Sequence, residues 1–366
     1  MKTSISNYFF GVSDPRVEGR CLHLLSDILL LGLCTYVTGE TDYQDMHLFG
    51  LERGTSLGDY ISLPNGVPSA DTFERVFKII SAEELQCCLY TYGLEILSTL
   101  AEKQIIIDGK KLRGVSPTTK GNKGLYLLNV FVGENALCIA QEKVKDKSNE
   151  ITAIPQVLKS IDITDAVVSI DAMGTQREIV ELIIEKKGHY FLSVKNNQQA
   201  LCQDIECAFK LHQGYDCSET LDSGHGRIET RKCSILPAHK FLMEETISAW
   251  KGIQTIIRIN ATREVQGKTT FETRYYISDE QEIKAAYFNS LARGHWAIEN
   301  LLHWHLDVTF KEDLCRTRTG YAPQNLAVLR KWALQIVANQ KDKLSLKKRL
   351  YKAALDTEYL KKLLGI

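Results

Sequence analysis

Two aspartates each follow a run of apolar residues, at a position suited to chemistry at the end of a strand. Asp108 follows Ile105-Ile106-Ile107, and Asp171 follows Val167-Val168-Ser169-Ile170. Desolvating an unpaired carboxylate is expensive, so each must be exposed, paired or bound to a cation. Either residue alone is explained by capping the turn that follows its strand. On neighbouring strands of one sheet, however, the two would form a minimal cradle for a hard divalent cation such as Mg²⁺.

A second set of polar residues recurs at intervals of four in a predicted helix near the end of the chain. The set consists of His295, Glu299, His303 and Asp307, which share one face of a helix. This stripe lies among apolar residues, so it could face a site and supply a third carboxylate. An exposed stripe with ordinary surface histidines is the alternative. A zinc site built by His295, His303 and His305 is also open, although the sequence has no H-E-x-x-H motif and no C-x-x-C pair.

The two aspartates belong to a stretch that predicts alternating strands and helices. The periodicity of apolar residues predicts strands over 104–110, 125–132, 137–144, 166–170 and 189–194, and helices over 150–160 and 175–187. Three successive strands followed by alternating helix and strand predict an α/β fold, with a mixed sheet and helices on its faces.

The flanking regions have different periodicities, and these divide the chain. Residues 1–100 predict a set of helices, residues 215–279 are rich in strands, and helical periodicity returns over 283–304 and 325–340. We therefore predict an N-terminal helical domain over residues 1–100, a catalytic domain over residues 101–340 interrupted by a β-rich insertion at about 205–279, and a basic C-terminal helical tail over residues 341–366.

The composition is that of a globular protein in a reducing compartment. The 366 residues are 44% hydrophobic and 25% charged, which excludes wholesale disorder and a small disulfide-stapled scaffold. The apolar run from Ile28 to Val37 is too short to span a bilayer, so we predict no signal peptide and no membrane segment. The ten cysteines form no C-x-x-C pair. This pattern favours free thiols in an intracellular protein.

The formal net charge of zero hides an uneven distribution along the chain. Residues 1–100 contain six Lys and Arg against thirteen Asp and Glu, whereas residues 311–366 contain thirteen against five. A basic end could grip a polyanion. A solvated, lysine-rich helix is the alternative explanation for the same residues.

Taken together, the motifs resemble those of a known family, the DDE transposases of insertion sequences. The resemblance is to the IS-four-like group, in its subgroup of H-repeat-associated proteins, and it runs from residue 14 to about residue 330. The motifs that carry it are Asp14-Pro15-Arg16 with His23, Pro64-Asn65-Gly66-Val67-Pro68-Ser69, Asp71-Thr72-Phe73, Ile107-Asp108-Gly109-Lys110, Lys147-Ser148-Asn149-Glu150-Ile151, Ile170-Asp171-Ala172-Met173, Val194-Lys195-Asn196-Asn197-Gln198, His225-Gly226-Arg227-Ile228-Glu229-Thr230-Arg231, His295-Trp296-Ala297-Ile298-Glu299-Asn300, Leu302-His303-Trp304 and Leu306-Asp307-Val308.

The resemblance implies a ribonuclease-H-like catalytic core with three acidic residues. It places the catalytic and metal-binding triad at Asp108, Asp171 and Glu299. The implied chemistry is phosphoryl transfer with two Mg²⁺ ions about 3.5–4 Å apart, for which Mn²⁺ can substitute. An activated water would cut DNA at the element end, and the freed 3′ hydroxyl would then attack target DNA.

The same resemblance implies the partners. They are double-stranded DNA, comprising terminal repeats and target, and a second copy of the chain when two ends are held together. We expect no membrane partner and a cytoplasmic, nucleoid-associated location. Candidate DNA-binding residues are Lys195, Arg227, Arg293, Lys311, Arg316 and Arg318.

The chain departs from the wider superfamily near Glu299. That superfamily carries Tyr, Arg and Lys seven before, four before and seven after its glutamate. Here these positions hold Ala292, His295 and Leu306. The basic residue that contacts the phosphate at the cut is therefore open, with Arg293 and Lys311 as candidates.

Two other functions are compatible with the sequence. The chain could be a transposase-derived DNA-binding protein that no longer catalyses, or a metal-dependent nuclease that hydrolyses DNA without joining strands.

Further Lys and Arg residues of the basic end, including Arg330, Lys331 and Arg349, are expected to contact the DNA backbone if this region binds DNA. In the N-terminal region, Arg16 and Arg20 are the local basic cluster that could contact an element end, and a dimerisation role is the alternative.

Overall fold

The computed structural model describes residues 5–115, 125–144, 150–224, 226–281 and 284–366. Parts of two motifs, Lys147-Ser148-Asn149 and His225, lie outside the described residues, as does Ile283 at the predicted start of a helix. Within the described ranges, no helix is both long and apolar enough to cross a membrane.

A single nine-stranded mixed sheet forms the centre of the protein. Its strands are β1 Gln104–Leu112, β2 Leu125–Val132, β3 Leu137–Val144, β4 Val167–Ile170, β5 His189–Val194, β6 Asp216–Gly224, β7 Arg227–Pro237, β8 Thr255–Val265 and β9 Lys268–Ser278. They are hydrogen-bonded in the order β3-β2-β1-β4-β5-β9-β8-β7-β6. β1, β2 and β3 form an antiparallel meander; β4 pairs in parallel with β1, and β5 pairs in parallel with β4. This arrangement confirms the predicted ribonuclease-H-like mixed sheet.

Helices cover both faces of this sheet. The helices are α1 Ile5–Tyr8, α2 Leu25–Thr38, α3 Tyr43–Arg53, α4 Ala70–Ile79, α5 Ala82–Leu97, α6 Glu150–Ser160, α7 Arg177–Glu185, α8 Gln199–Leu211, α9 Ala238–Phe241, α10 Glu244–Ala249, α11 Ala285–His295, α12 Ala322–Ala338, α13 Leu346–Leu355 and α14 Thr357–Leu364. Alternate residues of β1 point to opposite faces, as the period of two requires. Ile105 and Ile107 belong to the core beneath α6, α7 and α8, whereas Ile106 belongs to the core beneath the N-terminal helices and α12.

The N-terminal and C-terminal helices share that second core. Trp332 of α12 is fully buried against Phe9 and the ring of Tyr92. α2 is buried on nearly every side, as its apolar sequence predicts for a helix without a polar face, and α12 packs against it. The first and last segments of the chain are therefore in direct contact.

The strand-rich stretch of the sequence continues the main sheet. β9 pairs antiparallel with β5, and β8, β7 and β6 extend the sheet outward. α11 packs on β6 and β7, which brings the following segment back to the sheet. That segment differs from the continuous helix predicted to end at Trp304. It ends as an α-helix at His295 and continues as two π-helical stretches, Ile298–His303 and His305–Thr309.

Candidate active site

Asp108 and Asp171 lie side by side at one edge of the sheet. β1 and β4 pair in parallel with Ile107 opposite Ile170, so the next residue of each strand is an aspartate. Asp171 also caps the short turn that follows β4, accepting hydrogen bonds from the backbone N–H groups of Met173 at 3.0 Å and Gly174 at 3.3 Å. The turn-capping explanation thus holds for Asp171, and it is compatible with a site at the same edge.

The carboxylate of Asp108 is held in a largely desolvated position. Its side chain is 23% exposed. Burial raises the pKa of Asp108 to about 6; nearby His303 opposes the rise, and Glu299 and Asp171 add to it. A carboxylate in this environment favours the binding of a cation, because the positive charge offsets the free-energy cost of burying the negative one.

The segment that carries Glu299 returns to this edge in a π-helical conformation. Its backbone bonds run from residue i+5 to i, as between the Phe310 N–H and the His305 carbonyl at 3.0 Å. Such wider turns are rare and occur often at functional sites. His295, His303 and Asp307 contact strand residues of the sheet, and Glu299, whose side chain is 53% exposed, contacts His303, so the stripe faces the sheet.

Glu299 and His303 meet Asp108 within this segment. His303 Nδ1 lies 3.3 Å from Glu299 Oε2 and 3.7 Å from Asp108 Oδ2. The hydrogen bond from His303 lowers the pKa of Glu299 although partial burial opposes it. One ligand atom from each of Asp108, Glu299 and His303 falls within 4.8 Å of the others; among the described residues this is the one such cluster of potential metal ligands.

Asn129 of β2 orients the His303 ring by contacting its Nε2 atom, while Nδ1 is the ring atom near Glu299. It lies opposite Asp108 in the β1–β2 register, and its Nδ2 is 3.4 Å from His303 Nε2 and 3.4 Å from the Leu127 carbonyl oxygen. With Nδ2 assigned as the donor, Nε2 accepts and the proton of a neutral ring resides on Nδ1, directed toward Glu299. The sequence signal for Asn129 was an amide inside an otherwise apolar strand, and our sequence reasoning missed it.

His295 is engaged with the sheet and does not join the other histidines. Its Nδ1 lies 2.7 Å from the Ser169 hydroxyl on β4, and burial lowers the pKa of His295 to about 4, so it is neutral near pH 7. His305 Nδ1 contacts Thr309 at 3.3 Å instead. The three histidines therefore do not converge, and the zinc site left open by the sequence is absent from the described residues.

Asp307, the last residue of the stripe, anchors the loop that follows. Lys110, on the same face of β1 as Asp108, places its Nζ 2.6 Å from Asp307 and 3.0 Å from the fully buried Glu312. Burial opposes ionisation of Glu312, but the cations of Lys110, Lys331 and Arg330 outweigh it and lower the pKa of that carboxyl. This ion-pair cluster fixes residues 311–315 beside the site.

The side chain of Glu150 occupies the space in which a side chain at position 109 would lie. A Cβ at this position would lie 2.4 Å from Oε1 of the buried Glu150. A side chain at this position would therefore require the Glu150 carboxylate to move.

The candidate DNA-binding residues are all exposed, but they occupy different places. Lys195 follows β5 on the same side of the sheet as the two aspartates, and Arg227 lies at the β6–β7 hairpin tip. Arg293 is paired with Asp222 at 2.7 Å. Lys311, Arg316 and Arg318 lie in the loop after the π-helical segment, where Arg318 donates to the Gly114 carbonyl at 3.1 Å. Their contacts with DNA stay predictions.

Three cations of the basic end are structural, contrary to the expectation that they grip DNA. Arg330 and Lys331 are each 1% exposed within α12. Arg349 donates to the carbonyl oxygens of Val337, Ala338, Gln340 and Asp342, so it satisfies the end of α12. By contrast, Lys347, Lys348 and Lys352 lie on the exposed face of α13, as predicted.

The donor set at the sheet edge fits a hard divalent cation. Two carboxylates and a histidine converge on one point, and a third carboxylate, Asp171, lies on the adjacent strand. Carboxylate oxygens suit Mg²⁺, and the added imidazole is compatible with Mn²⁺.

Comparison with known proteins places this chain in a family. A family model described as "Transposase DDE domain" matches residues 100–336, and one described as "DDE_Tnp_1-associated" matches residues 6–92. Among solved structures, a piggyBac transposase in a synaptic complex with hairpin DNA is similar over 96% of this chain and 76% of that chain, with 11% identity and a TM-score of 0.42.

Curated relatives cover nearly the whole chain. "Putative transposase YncI" of Escherichia coli O157:H7 is 33% identical over 99% of this chain and 94% of its own. "H repeat-associated putative transposase YhhI" of Escherichia coli K12 is 34% identical over 97% of this chain and 96% of its own. "Inactive transposase YbfQ" of Escherichia coli K12 is 38% identical over 17% of this chain. The chain thus belongs to the family of transposases with a DDE domain.

Proposed function

We propose that this chain is an active transposase of an insertion sequence, which binds the element ends, cuts the DNA there and joins the freed 3′ ends to target DNA. The observation that carries the proposal is the convergence of Asp108, Glu299 and His303 beside Asp171 at the carboxyl edge of β1 and β4. Family membership supplies the transposase role. The retention of all three acids supports activity over an inactive descendant.

In this proposal Asp108, Asp171 and Glu299 hold the cations, and His303 orients Glu299 through its Nδ1. Bound divalent cations supply an acidic water as nucleophile and stabilise the charge on the leaving 3′ oxygen. The protein itself fixes its acids through paired strands and keeps Asp108 desolvated. No covalent intermediate with the protein is needed, because the second step uses the DNA 3′ hydroxyl as nucleophile.

A strand-transfer assay tests the function directly. The full chain is incubated with Mg²⁺, a supercoiled target and labelled DNA that carries the flanking element ends. Joined products support the proposal, with Asp171→Asn as the inactive control. Cleavage without joined products would indicate a nuclease, and specific binding without cleavage in either Mg²⁺ or Mn²⁺ would indicate an inactive DNA-binding protein.

We further propose that exposed cations of the chain hold the DNA backbone. These are Lys195, the loop residues Lys311, Arg316 and Arg318, and Lys347, Lys348 and Lys352 of α13. Each DNA phosphate that the protein no longer neutralises should reduce the log–log salt slope by roughly 0.9. Replacing Lys347, Lys348 and Lys352 with Gln, while Arg349 is kept, should weaken binding for all DNA sequences and flatten this slope. An unchanged slope would leave these lysines as solubilising residues.

The remaining parts of the proposal concern assembly and place. Two copies of the chain would hold the two element ends together, and the protein would act on the nucleoid in the cytoplasm. For the N-terminal helices we keep end recognition and dimerisation as alternatives. Arg16 is already paired with Asp14 at 2.6 Å, so Arg20 is the freer cation of that region. Crosslinking with and without element-end DNA distinguishes a DNA-dependent dimer from a constitutive one.

A further inference from the structure

A cavity of about 370 Å³ opens beside the loop that follows the π-helical segment. It lies between the start of α3, residues 311–317 and α12. This volume is at the lower end of the range for small-molecule sites. None of the acids of the candidate active site lines it, so it is a separate feature of the molecule.

Arg330 forms the floor of this cavity with an incompletely satisfied guanidinium. The residue is 1% exposed, and its Nε and Nη2 atoms have no hydrogen-bond partner. The guanidinium lies over the ring of Tyr36 at 5.1 Å. A buried guanidinium with unused N–H groups attracts an anion, because leaving desolvated donors without a hydrogen-bond partner is costly.

Cys315 lines the same cavity as Arg330, and its thiol can ionise to an anion. Burial opposes ionisation of this thiol, but the charge of Arg330 and hydrogen bonds from Thr317 outweigh it and lower the pKa of Cys315. The residue is partly exposed through the cavity, unlike the buried Cys34, Cys88 and Cys138. Reactive cysteines occur in such electropositive, partly accessible positions.

We propose that this cavity is a thiol-modification site, in which Cys315 reacts as a thiolate with small electrophiles of the hydroperoxide class. The sulfur attacks the terminal hydroxyl oxygen of the hydroperoxide, an S–O bond forms and the O–O bond breaks. The departing alkoxide, or hydroxide in the case of hydrogen peroxide, takes a proton from solvent to become an alcohol or water. The sulfur is thereby oxidised to a sulfenic acid, and the peroxide is reduced.

The charges around Cys315 support an anionic sulfur. Lys311, Arg316 and Arg330 are the cations that line the cavity, and Asp42 is the carboxylate there. Asp42 is occupied in capping α3, where its side chain accepts from the Asp45 N–H. Tyr36 and Tyr43 also face the thiol, but burial raises the pKa of both hydroxyls, so they stay neutral near pH 7. Glu312 is paired with Lys110.

Competitive alkylation of the full chain tests the proposal without any assay of transposition. The native protein is treated with limiting iodoacetamide at pH 6.5, and the labelled peptides are quantified by mass spectrometry. Cys87, Cys207 and Cys217 are exposed and serve as controls within the same molecule. Cys315 should be labelled faster than these three controls, although it is less exposed, because a larger fraction of it is thiolate at pH 6.5. Hydrogen peroxide given first should block this labelling preferentially.

Charge selectivity sharpens the same experiment. Because cations line the cavity, negatively charged iodoacetate should be favoured over iodoacetamide at Cys315 more than at the three exposed controls. Arg330→Met should bring the rate at Cys315 to the level of the controls or below, whereas Arg316→Gln should preserve most of it. If Arg330→Met fails to fold, Thr317→Val should give a smaller loss, because it removes the side-chain hydrogen bond from Thr317 to the sulfur.

Slow labelling of Cys315 in the native wild-type chain, at or below the rate of Cys87, Cys207 and Cys217 at pH 6.5, would overturn the proposal. Equal iodoacetate selectivity at all four thiols would also count against it. Neither result bears on whether the chain transposes DNA, so this inference and the proposed function fail separately.

Discussion

The two sides of the candidate site hold the same kind of group in opposite environments. Asp108, on the strand side, is 23% exposed, and its pKa is raised to about 6 chiefly by burial. Glu299, on the π-helical side, is 53% exposed, and the hydrogen bond from His303 lowers its pKa. The strand fixes its carboxylate by backbone pairing at the cost of desolvation. The helix keeps its carboxylate solvated and aims it with a neighbouring side chain.

This difference indicates a division of labour. A desolvated, rigidly placed carboxylate contributes most when a cation is bound, because the cation removes the cost of its charge. A solvated carboxylate stays ionised without a cation and can adjust to it. The comparison can be tested by changing each side separately.

The largest expected effect comes from removing either carboxylate charge. Asp108→Asn and Glu299→Gln should each reduce DNA cleavage to background, because each removes a ligand for the cations that activate the nucleophile. Cleavage of labelled element-end DNA in Mg²⁺ measures this, and retained DNA binding in a gel shift serves as the folding control. Full cleavage by Glu299→Gln would show that Glu299 is not a catalytic acid, and Asp307 would then be the next residue to substitute.

A smaller effect is expected from His303, which orients Glu299 without replacing its charge. His303→Ala should lower cleavage and Mn²⁺ affinity by roughly 10- to 100-fold, the range typical of residues that orient metal ligands. His305→Gln is the matched control, because His305 contacts Thr309 and not the acids. Equal losses in the two variants would show that the segment, and not the His303 contact, matters.

The two acids should affect stability with opposite dependence on pH. The pKa of Asp108 rises from 3.8 to about 6 on folding, so its charge destabilises the native state progressively as pH rises from about 4 to 6. In EDTA, the free energy of unfolding of Asp108→Asn minus that of the wild type should therefore be about 2 to 3 kcal/mol higher at pH 7 than at pH 4. Urea unfolding at the two pH values measures it.

Glu299→Gln should show the reverse sign. The pKa of Glu299 is lowered on folding, so its charge stabilises the native state above the unfolded pKa, and this contribution is lost as pH falls. The variant should be slightly less stable than the wild type at pH 7 and equal to it in acid. If both variants shift stability the same way at pH 7, the contrast between the two sides is wrong.

The last prediction concerns the backbone that carries Asp108, where the effect is expected on stability alone. Gly109→Ala should destabilise the protein by about 1–3 kcal/mol, because its Cβ would overlap the buried Glu150 carboxylate. Gly224→Ala is a suitable control, since no atom lies within 4 Å of its Cβ position. Thermal unfolding of both variants checks the expectation. Similar melting temperatures would mean that the strand side has room to relax.

Local patterns predicted much of this arrangement. Runs of β-branched residues predicted β1 and β4, and the period-four stripe predicted that His295, Glu299, His303 and Asp307 share one face. Both signals are local, because side-chain direction follows directly from the repeat of the backbone. The change to π-helical turns after His295 was not predictable from the pattern. It depends on how the segment fits against β1 and β4, as the contacts of His295 with Ser169 and of Asp307 with Lys110 show.

Sequence also could not separate structural cations from exposed ones. Arg330, Lys331 and Arg349 belong to the same basic stretch as Lys347, Lys348 and Lys352, yet the first three are buried. A charged side chain is buried only where partners from other elements compensate it. Those partners, such as Glu312 for the α12 cations and the α12 carbonyls for Arg349, come together only in the folded chain.

The sequence alone predicted the mixed sheet, the family and the candidate acids Asp108, Asp171 and Glu299, because residue type and short-range repeat carry these signals. The tertiary structure decided which of these residues meet. It placed His303 near both Asp108 and Glu299, put Asn129 against the Nε2 side of His303, and brought Cys315 next to the buried guanidinium of Arg330. Such contacts join segments up to about two hundred residues apart. Their energies depend on distance and burial, which no local pattern specifies.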